Sequence, residues 1–397
     1  AALLVEQSTA RQAAILVKAI ETMNHYLAGF GGDGACLEGP GYWNYGFGYF
    51  VYFADLLSRA TNGNADLFAS DKVKAVALFQ QRCYLAGDRP ANFSDALPHV
   101  SVHIGLSDYL ADRFVEVQFP PLKLRAAYTD DHCARFAPAL RDVLWFQPNA
   151  ERDVNWQPGS WYLPDAQWFI SRSVSSAGSF GFAAKGGSND EPHNHIDVGH
   201  FILLAGNDPA VAADLGSGEY TADYFGEGRY EYDCNGAQGH SLPIVSGHRQ
   251  QAGGNSRAKM SEAATGERED HFSLELADCY PSESGLQSFK RSFVLRKDEL
   301  PTLTVTDAFA FEEGGGQVTE VIITRCQPTL AEDGRIVLAG GLRDAELKYE
   351  AGRLRAAIVE KTYPNHFGQE ERYYRIHLIA EHSAERLQQF ALQFEFK

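Results

Sequence analysis

The apolar residues of this 397-residue chain change their spacing once, and that change limits the folds open to it. Up to about residue 146 they recur at helical spacing. Ala13, Ile15, Leu16, Ala19, Ile20 and Met23 form one stripe behind Ser8, a residue type that caps helix N-termini. Phe50, Phe53, Leu56 and Leu57 mark a second helix near 46–60, and Val73, Val76, Leu78 and Phe79 a third near 70–87. Shorter helical patterns follow near 106–113 and 136–146. The segment 147–161 holds Pro148, Asn149, Pro158 and Gly159 and reads as a linker. Beyond it the period falls to two. Strands are expected over 167–171, 180–184, 289–295, 302–309, 318–324, 336–338, 345–349, 354–359, 373–379 and 390–396, with turns at Gly314-Gly315-Gly316, Asp333-Gly334 and Ala351-Gly352. The chain therefore reads as α+β and multidomain: antiparallel helical hairpins over 1–146, a linker over 147–161 and a large antiparallel β-sandwich over 162–397.

Charge narrows the partners. A formal net charge of −17 disfavours nucleic acid and anionic membranes, and an anionic substrate would need a local basic patch. No apolar run approaches the roughly 20 residues of a membrane helix. The six cysteines are far apart and form no C-x-x-C, which argues against a structural zinc knuckle or a dithiol redox site. Aromatic residues make up 12%, which fits a β-rich core better than a set of sugar-stacking platforms. The opening Ala1-Ala2-Leu3-Leu4-Val5 looks like the middle of a helix, so the numbered chain is expected to begin partway into a larger protein.

Two motifs carry chemistry. The first is Pro192-His193-Asn194-His195-Ile196-Asp197, followed by Asp214-Leu215-Gly216 and Gly239-His240-Ser241. On an extended strand, residues two apart share a face, so His193 and His195 would present both imidazoles to one site. Neutral imidazole and carboxylate suit a borderline divalent ion, and His195, Asp214 and His240 supply three such ligands. The second motif is the loop from Asp33 to Gly46, which displays Glu38, Tyr42, Trp43, Asn44 and Tyr45 between two expected helices. Trp43 and Tyr45 either stack on sugar rings or staple the loop to the helices.

Together these motifs resemble the heparinase II/III-like polysaccharide lyases. The carriers are Glu38-Gly39-Pro40-Gly41-Tyr42-Trp43, His193-Asn194-His195-Ile196-Asp197, Asp214-Leu215-Gly216 and Gly239-His240-Ser241. The resemblance implies an incomplete (α/α) toroid followed by an antiparallel β-sandwich, and cleavage of uronic-acid polysaccharide by β-elimination. It implies Tyr42 as the catalytic tyrosine, His193 as the active-site histidine, and a structural metal, usually zinc, on His195, Asp214 and His240. The expected partner is an anionic glycosaminoglycan such as heparan sulfate, chondroitin sulfate or hyaluronan, or alginate, in a periplasmic or secreted setting. A further active-site Asn or His of the family has no equivalent here, and the helices are too few for a whole toroid.

The chemistry fits those residues. Elimination removes the proton at C5 of a uronate, and hydrogen bonds or positive charge on the neighbouring carboxylate stabilise the enolate-like transition state. His193 is the candidate for that task, with Tyr42 as base and acid, or His193 as base and Tyr42 as acid. Glu38 could orient the tyrosine or a sugar hydroxyl. Arg249 and Arg257 are the main candidates for binding a polyanion, beside Lys259 and Lys185. Other classes compete: a non-haem iron oxygenase on His195, Asp197 and His240 or His248, a non-catalytic carbohydrate-binding protein, and a glycoside hydrolase, which would need a carboxylate pair.

Overall fold

The computed structural model describes residues 6–127, 135–312 and 314–397. The apolar opening Ala1–Val5 and Cys133 fall outside these. The chain divides into two compact units: one of residues 1–36, 40–81 and 101–154, the other of 37–39, 82–100 and 155–397. The division is not one cut at the expected linker, because two short segments of the front part belong to the β-rich unit.

The first unit is helical, with helices Thr9–Ala28, Gly48–Ala60, Ile104–Arg113 and Phe136–Trp145 and most of Asp71–Cys83. Thr9–Ala28 begins after Ser8; none of its residues is fully buried, and Leu16, Ala19, Ile20 and Met23 of its apolar stripe are half-buried. The loop that precedes Gly48–Ala60 is itself wound. Pro40 opens a short helical turn, Pro40–Tyr42, where its fixed φ and missing N–H cost nothing. A π-helical turn follows over Trp43–Phe47. It turns Trp43, Asn44 and Phe47 inward. The Trp43 indole N–H donates to the Val76 carbonyl at 2.7 Å, and Phe47 stacks on Phe50 with ring centres 5.6 Å apart. Asp108 is buried and grips Arg152 in a two-pronged ion pair, with Nη1 to Oδ1 at 2.8 Å, which ties the end of the unit to helix Ile104–Arg113.

The second unit is built on antiparallel sheets. An eight-stranded sheet runs, in spatial order, Lys259–Ala264, Glu269–Glu275, Leu286–Arg296, Thr302–Phe311, Leu387–Phe396, Ala345–Lys348, Arg335–Ala339 and Gln327–Ala331. A four-stranded sheet holds Leu354–Pro364, Glu370–Ala380, Val318–Thr324 and Ile244–Val245, and a second holds Gly159–Leu163, Trp168–Ser175, Gly178–Lys185 and Phe201–Ala205. Strand Thr302–Phe311 shows why it folds as it does: every second residue is buried. Its Phe309 lies in register with Phe289, and the rings stack 4.5 Å apart. Phe201 meets Phe293 and Phe394 with ring centres 5.4 and 5.8 Å away, so residues of different sheets close one core. Each such ring contributes about 1.5–3 kcal/mol on burial.

The expected strands are present, most with longer bounds; Val318–Thr324 has the bounds expected and Ala345–Lys348 ends one residue earlier. Phe201–Ala205 was hidden from a period-two reading because all its residues are buried, which erases alternation. Gln327–Ala331 was hidden for the opposite reason, since it is almost wholly exposed.

One core residue prepares the site. Arg291 is completely buried, holds Asp307 at 2.5 Å, and donates Nη1 to the carbonyls of Gly199 at 3.0 Å and Ser241 at 2.6 Å. The sheet thereby fixes the loops that carry His200 and His240.

Candidate functional site

The centre of the site in the β-rich unit is Asp95, which no sequence motif marks. It follows Ser94, which has a left-handed backbone at φ 58°. Its carboxylate is wholly buried and gathers donors on both oxygens. His193 Nδ1 lies 2.6 Å from Oδ2, and the Tyr220 hydroxyl donates to the same oxygen at 3.1 Å. His195 Nε2 lies 2.9 Å from Oδ1, where Tyr224 donates at 2.6 Å and Arg229 Nη2 at 3.2 Å. Burial alone would raise the Asp95 pKa. The hydrogen bonds from His193 and His195 and the charges of His195 and Arg229 outweigh it and hold the group ionised, well below the usual carboxylate range.

His193 and His195 do meet at one site, but not for the reason expected. The stretch is a series of turns rather than a strand, and His193 has φ 52°. That left-handed backbone is uncommon for a side-chain-bearing residue and is found where surroundings enforce it. Here they do. Asn189 accepts the N–H groups of Asp197 and Val198 at 3.1 and 3.3 Å, Ile196 N–H donates to the Asn235 carbonyl at 2.8 Å, and Arg229 Nε donates to the Asn194 carbonyl at 3.0 Å. The His193 side chain stays partly open, at 24% exposure, against the rings of Tyr220 and Phe225. Its pKa is raised, first by the hydrogen bond to Asp95, against burial, with further help from the charges of Asp95 and Glu38.

Glu38 belongs to this unit. The chain turns at the next residue, Gly39, where φ is 86° and a Cβ would stand 2.5 Å from that of Ala96. Burial raises the Glu38 pKa, while the charge of His193 lowers it.

A second, fully buried cluster lies behind the histidines. His195 donates Nε2–H to Asp95, which leaves the Nδ1 lone pair without a partner. His240 donates Nδ1–H to the Gly236 carbonyl at 2.9 Å and leaves Nε2 bare. Asp197 Oδ1 accepts from Lys185 at 2.6 Å and Asp214 Oδ1 from the Gly216 N–H at 2.8 Å, and the Oδ2 atom of each is unpartnered among the described residues. His195, Asp197 and His240 offer ligand atoms that all lie within 4.8 Å of one another. Asp214 Oδ2 stands 3.7 Å from His240 Nε2. Thus the tightest trio contains Asp197, where the sequence reading had Asp214. Converging lone pairs with no donor are what a buried cation satisfies, so these residues fit a divalent metal. Burial lowers the His240 pKa to about 4, which keeps the ring neutral for coordination at neutral pH. His200 has a different part. Its Nδ1 accepts the Ser241 N–H at 2.9 Å, so the neutral ring carries its proton on Nε2, 3.5 Å from Asp214 Oδ2.

The remaining candidates fall elsewhere. Tyr42, half-buried, and Tyr45, 49% exposed, belong to the helical unit. Trp43 is wholly buried on the Val76 carbonyl and is a staple, not a sugar platform. Lys185 is also wholly buried, paired with Asp197 and with Glu191 at 3.1 Å, so it holds the loop and is closed to a polymer. Lys259 is exposed and pairs with Asp278 at 2.7 Å. Arg249 and Arg257 are exposed, and neither bonds to the Asp95 group. Besides Asp95, the sequence reading passed over Tyr220, Tyr224, Arg229 and His200. The run of tyrosines at 220, 224, 230 and 232 between Asp214-Leu215-Gly216 and Gly239-His240-Ser241 was the available signal.

No family model and no curated protein matches the chain by sequence. Solved structures match its fold. A heparan sulfate lyase mutant from Pedobacter heparinus has a TM-score of 0.72 at 15% identity, over 95% of this chain and 55% of that one. A heparinase III gene product has a TM-score of 0.71 at 12% identity, over 100% of this chain and 57% of that one. The chain spans about half the length of these structures. It has the α+β fold of polysaccharide lyases of this kind, with helices and large antiparallel sheets.

Proposed function

We propose that the chain carries the catalytic residues of a polysaccharide lyase that cleaves uronic-acid-containing polysaccharide by β-elimination, with a glycosaminoglycan as the favoured substrate. The observation that supports this most is the imidazole of His193, partly open to solvent and backed by an ionised, buried Asp95, on a fold otherwise found in heparan sulfate lyases.

The roles follow from the hydrogen bonds. An ionised carboxylate only accepts, so Asp95 accepts a hydrogen bond from the His193 Nδ1–H and sets the direction of the ring. Its charge favours the imidazolium, which suits His193 to neutralise the substrate carboxylate beside C5. Tyr42 then takes the C5 proton. The electron pair forms the C4–C5 double bond, the C4–O bond breaks, and the leaving oxygen is protonated by the same tyrosine. A free tyrosine has a pKa of about 10, and a cationic His193 in the substrate complex would help it act as a base. Pairing the two rests on the resemblance of Glu38-Gly39-Pro40-Gly41-Tyr42-Trp43 and His193-Asn194-His195-Ile196-Asp197 to the lyase motifs. A divalent ion on His195, His240 and Asp197 or Asp214, zinc by the nature of the donors, would add rigidity to the loop that holds His193. The oxygenase reading shares the trio His195, Asp197 and His240 but leaves the pairing of His193 with Asp95 without a role.

Mass spectrometry of a digest tests the reaction class. Elimination gives a new non-reducing end one water lighter than hydrolysis does. Fragments carrying the full water would overturn the proposal.

A further inference from the structure

The β-rich unit holds a cavity of about 430 Å³ with a buried cation in its wall. That cation is Arg89, in the short strand Arg89–Pro90 and only 8% exposed. Its Nη1 donates to the Asp208 main-chain carbonyl, and its Nε has no partner among the described residues. No described carboxylate oxygen lies within 4.0 Å of the guanidinium. The nearby anions are committed elsewhere. The Asp208 carboxylate accepts the backbone N–H groups of Leu342 and Arg343 at 3.1 and 2.8 Å, Asp88 pairs with His99 at 3.1 Å, and Glu371 holds Arg325 at 2.7 Å. Burial lowers the Arg89 pKa; the charge of Asp88 opposes this without cancelling it, and Arg325, a second guanidinium on the same cavity, adds to the lowering. A buried cation without a counter-ion is costly, and a guest anion removes the cost.

We propose that this cavity is a binding site for an oxyanion (a carboxylate, sulfate or phosphate group) held by the guanidinium of Arg89. The planar guanidinium matches such groups. The cavity is in the size range of small-ligand sites, and Leu97, Pro98, Ile202 and Phe367 give it apolar walls against which a sugar ring can lie. It also borders the His193 site. His366 lines the cavity and packs edge-on against Tyr220 with ring centres 4.8 Å apart, and the Tyr220 hydroxyl is 3.5 Å from His193 Nδ1. The anion has two sources: an acidic sugar residue, or a free inorganic ion. The site itself does not depend on elimination chemistry.

Thermal shift and calorimetric titration of the intact chain test it, with sulfate, phosphate, glucuronate and neutral glucose at matched ionic strength, on the parent and on Arg89→Met. The expected result is a saturable rise in Tm of the parent with at least one oxyanion and none with glucose. Arg89→Met, with no buried charge to satisfy, keeps or raises the unliganded Tm and binds at least about tenfold more weakly. The general stabilisation by excluded sulfate is common to both proteins and cancels in the difference. A stronger response to glucuronate assigns the site to an acidic sugar, and a stronger response to sulfate or phosphate assigns it to a free ion. No saturable response to any oxyanion, or an equal response in the variant, overturns the proposal. Should Arg89→Met fail to fold, Arg89→Gln takes its place under the same criteria.

Discussion

Replacing Asp95 by Asn changes almost no volume and removes one charge at the point where five donors meet. The amide keeps one acceptor oxygen. With that oxygen toward His195, Tyr224 and Arg229, the NH₂ group faces His193 Nδ1 and must donate to it. Neutral His193 is then driven to the tautomer protonated on Nε2, and its pKa loses the support of the Asp95 charge. The Arg229 guanidinium also loses its buried partner. Removing one member of a buried ion pair costs about 3–5 kcal/mol. At about 2–4 °C per kcal/mol for a domain of this size, that is a fall in Tm of about 6–20 °C. Turnover should fall about 10²–10⁴-fold, the range for a wrongly set or unsupported catalytic histidine. Calorimetry reads the first effect, the rate of product formation the second, and ¹⁵N shifts of the His193 ring the tautomer. An Asp95→Asn variant that melts with the parent, turns over at the parental rate and keeps His193 Nδ1 protonated would refute the assignment of Asp95 as the positioning residue.

Other substitutions separate structural from functional roles. Trp43→Ala should cost about 3–5 kcal/mol in urea unfolding, whereas Tyr45→Ala should stay within about 0.5 kcal/mol and act on polysaccharide affinity alone. His240→Ala should abolish stoichiometric metal in atomic absorption and lower Tm, and the parent should lose stability on dialysis against a chelator. Comparing Asp197→Asn with Asp214→Asn in the same assay identifies which carboxylate ligates, since only the ligand's loss should release the ion. Arg291→Ala should cost about 3–5 kcal/mol, because Asp307 and Glu320 are left buried without their cation, whereas Arg291→Ala at parental stability would show that the loops of His200 and His240 hold without it.

Where one face of an element is buried and the other is not, as in Thr302–Phe311, the sequence carried the fold in plain view. It lost the signal where burial was total, as in Phe201–Ala205, or nearly absent, as in Gln327–Ala331. The site was legible in the same uneven way. His193, His195 and Asp197 are close in sequence, so their grouping is visible without a structure, although they sit on a set of turns and not on a strand. Asp95 lies 98 residues from His193 and acts alone in its loop, so only tertiary structure could bring it forward. Lys185 and Trp43 show the converse. Their side chains suggest surface roles in binding, but each is spent inside, on a carboxylate and on a backbone carbonyl.

The central claim is elimination by Tyr42 and His193, and ultraviolet absorbance of the unsaturated uronate tests it most directly. The intact polypeptide would be incubated in turn with heparan sulfate, chondroitin sulfate, hyaluronan and alginate, beside Tyr42→Phe and His193→Ala variants of parental stability. The account predicts a rise in absorbance with one substrate that both variants abolish. A rise that survives both substitutions, or cleavage of any of these polymers with no rise at all, would contradict it.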